Sequence, residues 1–132
     1  MIAAIKEAEK HTSGEVRVFV ESKCSYVDPV DRAKEIFFNL KMELTEDRNA
    51  VLLYMAMDDH QLALFGDEGI YQRLGAEYWV KEARKILSAF TKNDYTGGIC
   101  EVVKDIGQAL KEQFPYENDD KNELPDDIIF GN

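Results

Sequence analysis

The sequence is poor in cysteine, histidine and positive charge, and each scarcity removes a class of protein. There are two cysteines, Cys24 and Cys100. Two thiols outside a CxxC pair make no disulfide framework; both are expected reduced and buried, with a single disulfide as the alternative. The two histidines, His11 and His60, have no cysteine or histidine at zinc-ligand spacing and read as surface or turn residues. Lysine and arginine total 16 against 26 acids, a formal charge of −10. Such a chain repels nucleic acid and anionic membrane and attracts cations or basic partners. No apolar run approaches the ~18 residues of a membrane span. The stretch Met1–Lys10 carries Glu7 and Glu9, unlike a signal peptide. The expectation is a soluble monomer, cytoplasmic by its lack of a leader, or periplasmic or lumenal if a leader has been removed.

The usual chemical signatures are missing too. No GxGxxG or Walker lysine loop occurs, and Ser13 is not in a GxSxG elbow. Gly66-Asp67-Glu68-Gly69 puts two acids where a phosphate would approach. In the tail, Asn118, Asp120 and Asn122 alternate like calcium-loop ligands. Glu123 stands where that loop needs glycine, however, and Ile129 where it needs glutamate.

What remains is a globular pattern, 45% apolar and 32% charged. Periodicity predicts helices over 2–11, 29–41, 76–91 and 98–113, with a short helical turn over Ile70–Leu74. Asp28-Pro29 supplies a cap and a first-turn proline for the second helix. Thr96-Gly97-Gly98 is expected to separate the last two. Residues 15–21 alternate as a strand, 50–57 form a run apolar on both faces, and 61–66 returns as a third strand. The order α-β-α-β-β-α-α predicts a three-layer α/β/α sandwich around a mixed sheet, Rossmann-like but without a dinucleotide site. Residues 1–116 form the domain. Residues 117–132 carry six acids and one lysine and read as a flexible acidic tail.

Two acidic clusters follow from this topology. Ligands of open α/β sheets usually bind at the C-terminal ends of parallel strands. That edge gathers Glu21, Asp28 and Asp31 with Asp58 and Asp59 of the following turn. Converging carboxylates are relieved by a hard cation with oxygen ligands. The plainer alternative makes Asp28 a helix cap and Asp58-Asp59 a hairpin turn. The opposite edge gathers Arg48, Asn49, Asp67 and Glu68, with Glu15 nearby. There the plainer alternative is an ion pair of Arg48 with Asp67 or Glu15.

Thr12-Ser13-Gly14-Glu15-Val16-Arg17-Val18, Arg48-Asn49-Ala50-Val51-Leu52-Leu53-Tyr54, Gly66-Asp67-Glu68-Gly69-Ile70, Trp79 and Phe114-Pro115 together resemble the TPM domain. That family includes thylakoid-lumen phosphatase-like photosystem repair proteins and many bacterial ones; the closing Asn122–Asp126 resembles tails of a short stand-alone bacterial type. The resemblance implies an α/β/α sandwich, binding of Ca²⁺ or Mg²⁺ in some members, and weak acid phosphatase activity in a plant member. The matching positions are Arg48, Asn49, Asp67 and Glu68, with Asp58 and Asp59 in the acidic turn and Asp31 early in the second helix. The leading expectation is a divalent cation at Asp31, Asp58 and Asp59, with the Arg48 cluster as second candidate. A metal-assisted phosphatase, and an interaction module whose tail segment Leu124–Phe130 docks into a partner, are the rival expectations.

Overall fold

A computed structural model describes residues 2–10, 12–92, 94–115 and 129–131. The elements are α1 (Ile2–Glu9), β1 (Glu15–Glu21), α2 (Pro29–Asn39), a 3-10 turn (Met42–Leu44), β2 (Ala50–Ala56), β3 (Gln61–Gly66), α3 (Glu68–Leu74), α4 (Ala76–Thr91), α5 (Tyr95–Gln113) and β4 (Ile129–Phe130). The sheet order is β3-β2-β1-β4. β1 runs parallel to β2, with Glu15 opposite Ala50 and Glu21 opposite Ala56, as a strand–helix–strand crossover requires. β3 turns back antiparallel to β2.

Strand periodicity sorts the core. Val16, Val18, Val51, Leu53 and Met55 face one way and pack with α1, α4 and α5, including Ile5, Ile86 and Ile106. Phe19, Leu52 and Tyr54 face the other way and pack under α2 through Ala33, Ile36 and Phe37. All of β2 is buried, because helices cover the sheet on both sides. This is the expected α/β/α sandwich with a mixed sheet.

The ends of elements depart from expectation where a single side chain decides. α3 begins two residues early because Asp67 caps it, accepting from the Glu68 amide at 2.8 Å. α5 begins at Tyr95, so Gly97 and Gly98 lie inside the helix rather than in a separating loop. Asp94 provides the cap, accepting from the Gly97 amide at 3.2 Å. Gly98 is needed for packing: a Cβ there would stand 2.3 Å from Ala89 Cβ of α4. Both cysteines are free and half-buried rather than buried. His11 lies outside the described residues, as do 116–128, the greater part of the segment expected to be a flexible tail. Residues 129–131 are at the sheet, where the Gly131 amide donates to the Val20 carbonyl at 2.7 Å.

Gly107 brings α5 against α1. A Cβ at that position would meet Ala8 Cβ at 2.5 Å and Ala8 Cα at 2.6 Å, so backbone must move. Gly107→Val is expected to cost about 2 kcal/mol, seen as a lower urea midpoint at unchanged slope. An unchanged midpoint would show that α1 shifts aside freely.

Candidate functional site

The parallel pair β1 and β2 opens its C-terminal ends on one edge, and backbone hydrogen bonds continue past both strands. The Met57 amide donates to Glu21 O at 2.9 Å and the Asp58 amide to Ser22 O at 2.8 Å. The Cys24 amide donates to Asp59 Oδ2 at 2.8 Å. The β2–β3 turn is thus stitched to the loop after β1, and His60 at φ 52° closes the turn. Asp58 and Asp59 are exposed. Asp28 caps α2, accepting from the Val30 amide at 2.9 Å, which is the plainer role considered for it. Asp31 lies exposed in the first turn of that helix. Among the described residues, no group of three or more His, Cys, Asp or Glu is arranged to hold a metal.

The same edge holds a network that sequence reasoning missed. Arg32 of α2 grips Glu21 with two nitrogens, Nε at 3.0 Å and Nη2 at 3.1 Å. It also reaches Glu35, which accepts from Tyr26. The fully buried Tyr54 hydroxyl donates to Glu21. Burial alone would raise the Glu21 carboxyl. The Arg32 and Tyr54 hydrogen bonds and the Arg32 charge together outweigh burial and hold it below the usual range. Burial and the adjacent Glu21 push the Tyr54 phenol up. A signal was present in the sequence: Glu21 belongs to the strand face that α2 covers, so it needs a cation from α2, and Arg32 is the first one that helix offers.

The opposite edge is tied together differently. Arg48, at φ 52°, forks onto Asp67 through Nε at 2.7 Å and Nη2 at 2.9 Å, and Glu68 lies 3.3 Å from Nη1. The Arg48 carbonyl accepts from the Gly69 amide at 2.8 Å. Asn49 Nδ2 donates to Ser13 Oγ at 2.9 Å, and Ser13 donates to Asp47 at 2.8 Å. Arg48, Asn49, Asp67 and Glu68 do come together, in the ion-pair arrangement that was the plainer alternative. Gly69 must be glycine, because a Cβ there would sit 2.3 Å from the Asp47 carbonyl oxygen.

A third group lies between α4 and α5. Glu82 is 2% exposed. Lys85 Nζ lies 2.6 Å from Asp105 Oδ2 and 3.4 Å from Glu82 Oε2. Burial and the adjacent Asp105 push the Glu82 carboxyl up to about 7. Burial also raises the Tyr78 phenol.

The motif residues, from Thr12 through Phe114-Pro115, therefore mostly staple the N-terminal edge. Thr12 Oγ1 bonds the Leu110 carbonyl at 3.1 Å and Thr12 bridges to Pro115. The family model of the TPM domain matches residues 1–109. The chain belongs to the TPM domain family. This TPM domain is similar to BA42 protein from the psychrophilic bacterium Bizionia argentinensis, whose structure was determined by NMR. The two are 38% identical, with a TM-score of 0.89 over 98% of this chain and 89% of that one. It also resembles in fold the N-terminal domain of cg2496 protein from Corynebacterium glutamicum, at 15% identity and a TM-score of 0.63, covering 82% of this chain and 67% of that one. No curated protein matches. Among the described residues, no helix of this TPM domain is long and apolar enough to cross a membrane.

Proposed function

We propose that the domain binds a divalent cation, Ca²⁺ or Mg²⁺, at the edge where Asp31, Asp58 and Asp59 lie. The observation that carries this reading is the stitching of the Asp58-Asp59 turn to the loop after β1. It fixes the Asp58-Asp59 turn beside the loop that leads toward α2, and among the described residues Asp31, Asp58 and Asp59 are not spent on ion pairs. The arginine at that edge, Arg32, is committed to Glu21 and Glu35. The three aspartates are exposed, so the ion keeps much of its water, as hard cations at open sites do. Binding is weak for the same reason.

A phosphatase would use the same ion to polarise a phosphoryl oxygen and activate water. With Arg32 committed, no free guanidinium among the described residues of this edge is left to clamp the phosphate, and hydrolysis of an aryl phosphate is expected to be feeble.

An ion that binds only the folded state adds RT ln(1 + [L]/Kd), about 1.4 kcal/mol at tenfold excess. Titration with Ca²⁺ and with Mg²⁺ is expected to raise the melting temperature and to shift amides at Asp31, Asp58 and Asp59. Asp58→Asn with Asp59→Asn removes two charges at nearly constant shape. Ion-dependent stabilisation is expected to vanish while apo stability holds. Stabilisation that survives the double change, or shifts centred on Arg48 and Asp67, would place the ion elsewhere.

A further inference from the structure

The cation reading uses one end of the sheet; an independent feature runs along its side. β3 is an edge strand. The Asp67 amide donates to the Ala50 carbonyl at 2.9 Å. Backbone groups alternate sides along an antiparallel ladder, so Phe65 and Ala63 also face β2, while Leu62, Leu64 and Gly66 turn theirs outward. This edge forms the floor of a groove of about 710 Å³ walled by α2 and by α3 and α4. Of the seven large apolar side chains that are exposed among the described residues, four line it: Val30, Phe38, Tyr71 and Val80. Such clustering marks a binding surface, whereas scattered exposed apolar residues do not. Trp79 also lines the groove, and its indole N–H is buried without an acceptor among the described residues.

We propose that this groove takes an extended, acidic peptide segment of a partner protein, added to β3 as a fifth strand. Outward backbone groups supply hydrogen bonds, and flanking apolar residues receive alternate side chains, as in strand addition generally. Two observations choose the occupant. First, the edge is recessed between helices. A slender strand reaches it, but the equally recessed β3 of a second copy is kept away by its own α2 and α4. Second, the charge beside the groove opposes that of the chain. Lys34 on the α2 wall and Arg84, one turn beyond Val80, have no ion-pair partner among the described residues. At the groove's end Arg48 is already neutralised by Asp67 and Glu68. On a chain of charge −10, unpaired bases flanking an apolar cleft select carboxylates.

The test is selection of a displayed library of random ten-residue peptides against the full chain. Enriched sequences are expected to alternate apolar residues with aspartate or glutamate. The strongest, synthesised with capped ends, is expected to shift the amides of Leu62, Leu64 and Gly66. It should also slow hydrogen exchange at Leu62 and Leu64 at least tenfold. N-methylation at alternate peptide residues leaves the protein untouched and is expected to weaken binding at least tenfold. Lys34→Glu with Arg84→Glu is expected to weaken it about tenfold while the protein's own spectrum stays folded. The inference is overturned by any of four results: no enrichment; selected peptides without acidic bias; equal affinity of the N-methylated peptide; or shifts centred away from β3. Concentration-dependent protection of the same amides without peptide would assign the edge to a second copy and overturn it as well. A cation site that fails its own titration leaves these readouts unaffected.

Discussion

Arg32→Met is expected to lower the melting temperature by about 10 °C. The substitution removes the guanidinium that lies over the Phe19 ring and leaves Glu21, which is 6% exposed, without its cation. Breaking a buried pair by deleting one partner costs about 3–5 kcal/mol, because the survivor is left charged and dry. Arg32 is itself partly open to solvent, so about 3 kcal/mol is the expected value. For a domain of this size that corresponds to about 10 °C. The pH dependence carries a sign that simple loss of packing does not. In the wild-type protein the folded-state Glu21 carboxyl lies below its ordinary value. Its contribution is therefore present above the unfolded carboxylate pKa and is lost as pH falls through the lower folded one. Without Arg32, burial dominates and the dependence reverses: the variant is expected to gain on the wild type as pH falls toward 4. Glu21→Gln added to Arg32→Met is expected to recover part of the loss at neutral pH. A variant that melts within 2–3 °C of wild type, with an unchanged acid limb, would show that the pair is solvated.

Glu82→Gln is expected to do the opposite and stabilise the protein above neutral pH. Glu82 is held up at about 7, so between the ordinary carboxylate pKa of 4.5 and about 7 the folded state holds a proton that the unfolded state has released. Stability then falls as pH rises across that window. At about 1.4 kcal/mol per pKa unit, the loss approaches roughly 3 kcal/mol. Glutamine never ionises, and its amide keeps a donor for Asp105. Melting curves of wild type and variant are expected to coincide near pH 5 and to separate by up to about 10 °C at pH 8–9. Parallel curves across the whole range would mean that Lys85 already keeps Glu82 ionised.

Both networks show where reading a sequence stops. The sandwich, the parallel β1–β2 pair and the β3 return were legible because Val16, Val18 and Val20 alternate and Ala50–Met57 is apolar throughout. The topology then brought the Asp58-Asp59 turn beside the loop after β1. Periodicity says which face of a helix is covered, but not which of its charged residues reaches over to a neighbour. Arg32 and Lys85 look like any solvated bases on amphipathic helices until the opposite strand or helix is in place. Glycines misled in a similar way. Gly97-Gly98 reads as a break, yet a cap at Asp94 and the close approach of Ala89 make both residues helical. β4 was unreadable because two residues, Ile129 and Phe130, carry no period.

That short strand has a kinetic consequence. Roughly 110 residues separate Ile129 from Phe19, its partner in β1. The entropy of closing a loop grows with its length, and contacts so distant in sequence form late. β1 and β2 can meet first, through the nearby crossover, and the outer flank of β1 then waits for the last part of the chain. Until Gly131 reaches the Val20 carbonyl, the stretch of β1 that β4 covers, Phe19 and Val20, stays bare in a newly made polypeptide and open to adventitious pairing with neighbouring chains.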